Sequence, residues 1–245
     1  NGGVENGGID SATKDLRIFF SDTIIDPFDR NVYKYVQLGK RAWFAEDLRR
    51  AHPYPINPNF SGYYEGSFGK RYSWAMAMNL DSAECDGAVN CADQLRTGHQ
   101  GLCPVGWNIP DSIEWMRLRE WAVTGRSDSL GIEMLKSKSD WTTTFGMGSV
   151  FLANGTDAWG MNLKPNYLSN GVNANTLSAR YWAVTPASGD TYHLDRKFVD
   201  VYASGGVSNN TVENSMSVYG IHYARYGYGE VFPIRCVKSL PPGQW

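Results

Sequence analysis

Long apolar runs, blocks of basic residues and closely spaced metal-binding cysteines are all missing from this chain of 245 residues. No stretch approaches the roughly 20 apolar residues that a membrane-spanning helix needs, so no transmembrane segment is expected within it. Lysine and arginine number 23 against 25 acids, for a formal charge of −2. Without a positive patch, nucleic acid is a poor partner. The chain has no dinucleotide-binding glycine pattern, phosphate-binding loop, zinc-protease helix or Gly-x-Ser-x-Gly elbow. Its four histidines, His52, His99, His193 and His222, form no local ligand set. No alternating-oxygen EF-hand loop is present either. No cofactor is therefore expected, and metal ligands are left unassigned; a calcium ion gathered from distant loops is the one arrangement that sequence cannot display.

Cysteine is sparse, with Cys85, Cys91, Cys103 and Cys236 and no Cys-x-x-Cys pair. Four cysteines allow three pairings, and two readings stand: buried reduced thiols, or two disulfides of an exported protein. A bridge from Cys85 to Cys91 would clip the Asp-Gly-Ala-Val-Asn segment between them and leave Cys103 for Cys236. The polar opening, Asn-Gly-Gly-Val-Glu-Asn-Gly-Gly, reads as what remains after a secretion signal or tether.

What the chain does contain is aromatic: nine Trp and fourteen Tyr, together with 26 Gly. That mixture predicts short elements and many turns around aromatic clusters. Residues 1–15 read as a flexible lead, 16–240 as a single domain and 241–245 as a tail. Val32 to Leu38 and Arg41 to Phe44 form the clearest hairpin, turning at Gly39-Lys40 with Trp43 buried. Residues 52–68 read as loop, and Tyr72 to Leu80 as a short helix capped by Ser73. Asp111 with Glu114 makes a capping box for a helix whose apolar side holds Ile113, Trp115, Met116, Leu118, Trp121 and Ala122. Leu130 to Leu135 adds a helical turn. Residues 142–149 give no assignment. Further strands are expected around Met161-Asn162-Leu163, at Leu177 to Val184, Phe198 to Tyr202 and Ser215 to Tyr226, and last at Phe232 to Val237. The fold class is α+β, with a curled, mostly antiparallel sheet, two principal short helices and long loops.

Candidate binding residues mix flat aromatic faces with hydrogen-bonding groups: Asp157, Trp159, Tyr167, Asp190, Tyr192, His193, Asp195 and Arg196. Such a set can stack on sugar rings and bond their hydroxyls. His193 between Asp190 and Asp195 is the one local arrangement able to orient an imidazole. Trp182 belongs to the same neighbourhood but reads as core.

Several stretches carry a family resemblance. They are residues 31–39 and 41–48 of the hairpin, Arg71 to Met78, Cys103 to Asp111 with Glu114-Trp115, Leu135-Lys136-Ser137, Trp141, Gly155-Thr156-Asp157, Tyr181 to Thr185, and Ile234-Arg235-Cys236-Val237. In this order they resemble the Fibrobacter succinogenes major paralogous domain family. The resemblance implies an exported bacterial protein, secreted or lipid-anchored through its precursor at the outer surface, with a C-type-lectin-like or formylglycine-generating-enzyme-like architecture. It also implies a bridge between Cys103 and Cys236. The sugar-selecting and calcium triplets of classical lectins are missing, as is the late cysteine pair of the formylglycine-generating enzymes, so neither chemistry carries over. The passage from Asn162 to Tyr167 also departs from the family pattern. The function expected is a non-catalytic binding or adhesion module whose loops recognise glycan or a surface protein. A structural interaction domain of a bacterial envelope assembly comes second, and an uncharacterised hydrolase third.

Overall fold

The computed structural model describes residues 21–51, 63–66, 69–81, 85, 91–145, 149–166, 178–184, 196–205, 212–221 and 231–242. The predicted hairpin is present as β2 (Val32–Leu38) and β3 (Arg41–Phe44), paired antiparallel with Val36 opposite Trp43. Gly39 takes φ +60° at the turn, where a side chain would also crowd the Trp121 ring at 3.2 Å, so glycine suits the position twice over. Strand β1 (Ser21–Ile25) pairs outside β2, and β11 (Val237–Ser239) pairs outside β3. The chain's last strand thus shares a sheet with the β2–β3 hairpin.

A second antiparallel sheet has the order β10-β9-β8, made of β8 (Ser178–Ala183), β9 (Arg196–Gly205) and β10 (Val212–Ile221). Two short ladders complete the strands: β4 (Tyr63–Gly66) with β5 (Gly69–Tyr72), and β6 (Thr142–Phe145) with β7 (Ser149–Leu152). With three α-helices among the described residues the architecture is α+β. The single curled sheet expected from sequence is, among the described residues, four separate sheets.

Side chains join what the ladders leave separate. In β3, Ala42 and Phe44 enter one apolar cluster while Trp43 enters another. In β8, Trp182 joins the first cluster, and Ala179, Tyr181 and Ala183 the second. Alternation in a strand covered on both faces therefore feeds two cores at once. Trp182 is a core residue, as its apolar strand predicted, and its indole N–H donates to the Tyr72 carbonyl at 2.8 Å.

Helix α1 (Trp74–Ala77) begins at Ser73, whose hydroxyl caps Met76 N. It is shorter than the helix read from sequence, because Tyr72 pairs in β5 and Asn79 turns the backbone at φ +56°. Helix α2 (Ser112–Val123) starts with the predicted capping box of Asp111 and Glu114. Its buried stripe is Trp115, Leu118 and Ala122, whereas Ile113, in the first turn, is 58% exposed. Helix α3 (Asp128–Glu133) follows, and no described helix is long and apolar enough to cross a membrane.

Three strand readings change. Residues 63–66 belong to β4, although the sequence reads as loop there. Residues 161–163 are no strand: Asn162 has φ +50°, a left-handed turn value, and only Leu163 bridges to Lys136. Residues 232–236 run extended but join no single ladder. Phe232 bonds Tyr72, the Ile234 carbonyl accepts from Leu48 N and the Cys236 carbonyl from Phe44 N. Pro233, lacking an N–H, interrupts regular pairing between them. The four cysteines form two disulfides, Cys85–Cys91 and Cys103–Cys236. The second ties the approach to α2 onto the terminal segment, where Asn108 and Val237 exchange both backbone hydrogen bonds at 2.8 Å.

Candidate functional site

The turn before Trp141 is where the site begins. Leu135 and Ser137 bracket Leu163, the Leu163 N–H donating to the Leu135 carbonyl and the Ser137 N–H to the Leu163 carbonyl. Gly155 N donates to Ser137 O, Thr156 N to Glu133 O and Asp157 N to Lys136 O. These bonds lay the following loop flat on the turn. Within the loop, Asp157 (φ +47°), Gly160 (φ +66°) and Asn162 (φ +50°) reverse the chain, and Asp157 Oδ1 closes it by accepting from Asn162 N at 2.7 Å.

This loop, the end of the β2–β3 hairpin and β5 line an open polar cleft of about 530 Å³. That size falls in the range of small-ligand sites. Many of its charges serve the fold. Arg49 pairs with Glu46, donates to the Val32 carbonyl and lies over the Tyr33 ring. Arg235, 1% exposed, reaches Asp47 Oδ1 from Nε at 2.6 Å, the carbonyls of Phe44 and Met161 from Nη1, and that of Asn162 from Nη2. The guanidinium also lies over the Tyr181 ring, 5.5 Å from its centre. Its guanidinium is therefore consumed in fixing the hairpin end to the loop.

Four other groups in the cleft are not so used. Among the described residues, the exposed ammonium groups of Lys34 and Lys164 have no carboxylate within salt-bridge distance. Asp157 Oδ2 and the Asn162 side-chain amide likewise have no hydrogen-bond partner there. Burial pushes the Asp157 carboxyl above the ordinary aspartate range, with the Asn162 N–H, Lys138 and Arg235 working the other way. Burial also works to raise Glu46, but the Lys34 N–H and Arg49 outweigh it and hold that carboxyl below its usual value.

A smaller hollow of about 390 Å³ lies around Phe28, Arg50 and His99. There His99 Nε2 bonds the Met78 carbonyl, and Arg50 covers the Phe28 ring and donates to the Leu102 carbonyl. Among the described residues no three His, Cys, Asp or Glu side chains gather as metal ligands would.

Of the residues singled out from sequence, Asp157 lies in the cleft. Trp159 is 5% exposed, packed edge-on against Trp121 with the Arg126 guanidinium over its ring, and so turns no open face to a ligand. Arg196 opens β9, its backbone paired with Ile221. Tyr167, Asp190, Tyr192, His193 and Asp195 lie outside the described residues. Sequence reading missed Lys34, Asn162, Lys164 and Arg235. One signal was available: an arginine inside the apolar segment Phe-Pro-Ile-Arg-Cys-Val must bring a carboxylate with it when buried.

No curated protein and no solved structure matches the chain. A family model does match, over residues 36–238, a span that contains the turn end of the β2–β3 hairpin with all of β3, both cysteines of the Cys103–Cys236 bridge, the 157–164 loop and the Arg235 clamp. The chain belongs to the Fibrobacter succinogenes major domain family.

Proposed function

We propose that the protein is a non-catalytic binding module of a bacterial surface, secreted or held there by a lipid anchor, that engages glycan or protein in the cleft beside Asp157. The observation that carries this reading is the division of labour among the cleft's polar groups. Arg49, Glu46, Asp47 and Arg235 are spent on one another and on backbone, while among the described residues Lys34 and Lys164 make no salt bridge and Asp157 Oδ2 and the Asn162 amide no hydrogen bond. A rigid rim with uncommitted donors and acceptors suits recognition. A hydrolase would want two cooperating acid or base groups, and the carboxylates nearest Asp157 in the cleft are held by guanidinium groups. No cofactor is invoked. Two disulfides accord with an exported protein, and a C-type-lectin-like architecture, in which loops carry the ligand site, is the fold reading we favour.

A glycan array probed with the wild-type protein and with Asp157→Asn/Asn162→Ala tests the assignment. Saturable binding should be seen and should fall in the variant. Equal binding by a folded variant would place the site elsewhere.

A role as a structural interaction domain has one observation in its favour. Strand β1 is the outermost of its sheet, and among the described residues no strand pairs with its free edge.

A further inference from the structure

We infer that the cleft takes an acidic saccharide, a sugar bearing uronic carboxylates; this rests on the cleft being the binding site. Lys34 on β2 and Lys164 after the 157–163 loop supply two uncommitted ammonium groups, and Asp157 supplies one carboxylate. With Lys70, five cationic side chains line the cleft against the three carboxylates of Glu46, Asp47 and Asp157, an excess of two positive charges in a chain whose formal charge is −2. Carboxylates on the ligand meet that excess. A phosphate or sulfate cluster would bring surplus negative charge against Asp157, where an unscreened like charge is unfavourable. The rest of the ligand must be hydroxylated, because Asp157 Oδ2 accepts hydrogen bonds and the Asn162 amide both donates and accepts them. No aromatic and no large aliphatic side chain lines the cleft among the described residues, Ala45 and Gly160 being its non-polar members. A peptide anchored by an aliphatic side chain, or a nucleotide needing an aromatic shelf, finds no partner surface there. The carboxylates are taken by Lys34 and Lys164, and ring hydroxyls by Asp157 and Asn162.

The test is titration calorimetry with an oligogalacturonate, its fully methyl-esterified form and a sulfated oligosaccharide, on wild type, Lys34→Gln/Lys164→Gln and Asp157→Asn/Asn162→Ala. Both lysines are exposed, so their replacement leaves folding intact, which the melting curve checks. The free acid should bind, the ester should not, and the lysine variant should lose about tenfold or more in affinity, the size expected for one or more charge-assisted contacts. Raised salt should weaken binding in wild type. Equal binding of acid and ester, lost only in Asp157→Asn/Asn162→Ala, would overturn the ligand class while leaving the cleft as the site. Tighter binding of the sulfated sugar, or array ligands that depend on Asn162 but carry no carboxylate, would do the same. Binding of the acid unchanged in both variants would overturn the site itself.

Discussion

Arg235 and Asp47, 188 positions apart in the chain, meet in a 2.6 Å hydrogen-bonded ion pair inside the protein. The pair matters because Arg235 also holds three carbonyls, two of them in the loop that carries Asp157 and Asn162. Arg235→Met should leave Asp47 charged without its partner and those carbonyls without donors. The expected loss is about 3–5 kcal/mol in urea unfolding, the scale for breaking a buried pair from one side. Arg235→Lys should not restore it, since an ammonium cannot reproduce the guanidinium's planar fork. A loss below about 1 kcal/mol, the ceiling for an exposed pair, would mean that the clamp contributes no more than a surface contact.

The two disulfides should contribute unequally. Cys103 and Cys236 are 133 residues apart and Cys85 and Cys91 only 6, so the first closes a far longer loop in the unfolded chain. Chain entropy assigns about 5 kcal/mol to the long bridge and about 2 kcal/mol to the short one. Unfolding of Cys103→Ala/Cys236→Ala and Cys85→Ala/Cys91→Ala should reproduce that order. The reverse order would show that local strain or residual structure, not loop closure, governs their effect.

Legibility from sequence followed the range of the interactions. The β2–β3 hairpin and the start of α2 were readable because their causes are local: a glycine at φ +60° and a capping box within four residues. Strands β6 and β7 were not, since Thr142 to Phe145 offers no apolar alternation and the ladder is set by the partner strand. Ile113 was placed on the buried side of α2 by periodicity, yet the first turn of that helix meets solvent. The cleft was hardest. Lys34, Asp47, Asn162, Lys164 and Arg235 come from separate stretches, and only tertiary packing makes them neighbours. Asp157, Lys34, Asp47 and Arg235 each stood in a family motif; that they line one cleft was not visible.

Lys136 should make stability rise with pH. The side chain is fully buried, its ammonium donating to the Ala153 carbonyl at 2.5 Å and lying 4.3 Å from the centre of the Trp141 ring. Burial lowers its pKa from 10.5 to about 7, with Glu133 pulling the other way. Between those values the unfolded chain binds the proton and the folded one does not. Stability therefore increases with pH there, by up to about 1.4 kcal/mol per unit. Above the ordinary tyrosine value of 10.0 the trend reverses, because burial holds Tyr33 up to about 12 and raises Tyr181 too, so the unfolded phenols ionise first. Lys136→Met should abolish the rise between neutrality and pH 10.0 while keeping the alkaline fall. A wild-type profile flat over that interval would show that Lys136 stays charged in place.

Gly155→Ala tests whether the cleft's geometry is set by the turn beneath it. A Cβ at Gly155 would fall 2.4 Å from both the Cβ and the carbonyl oxygen of Lys136, and 2.5 Å from the carbonyl oxygen of Glu133. Neither carbonyl is free to move, since Lys136 O accepts from Asp157 N and Glu133 O from Thr156 N. An alanine must therefore lift the loop or break those bonds, and either displaces Asp157 two residues on. Overpacking of this kind costs about 1–3 kcal/mol, whereas the exposed neighbour Thr156→Ala should stay within about 0.5 kcal/mol of wild type. Ligand affinity should fall in the glycine variant even at temperatures where it remains folded, and hold in the threonine variant. If Gly155→Ala proves as stable as Thr156→Ala and binds as well, close packing on the Leu135–Ser137 turn is not what positions Asp157, and the rim must be held from the Arg235 side alone.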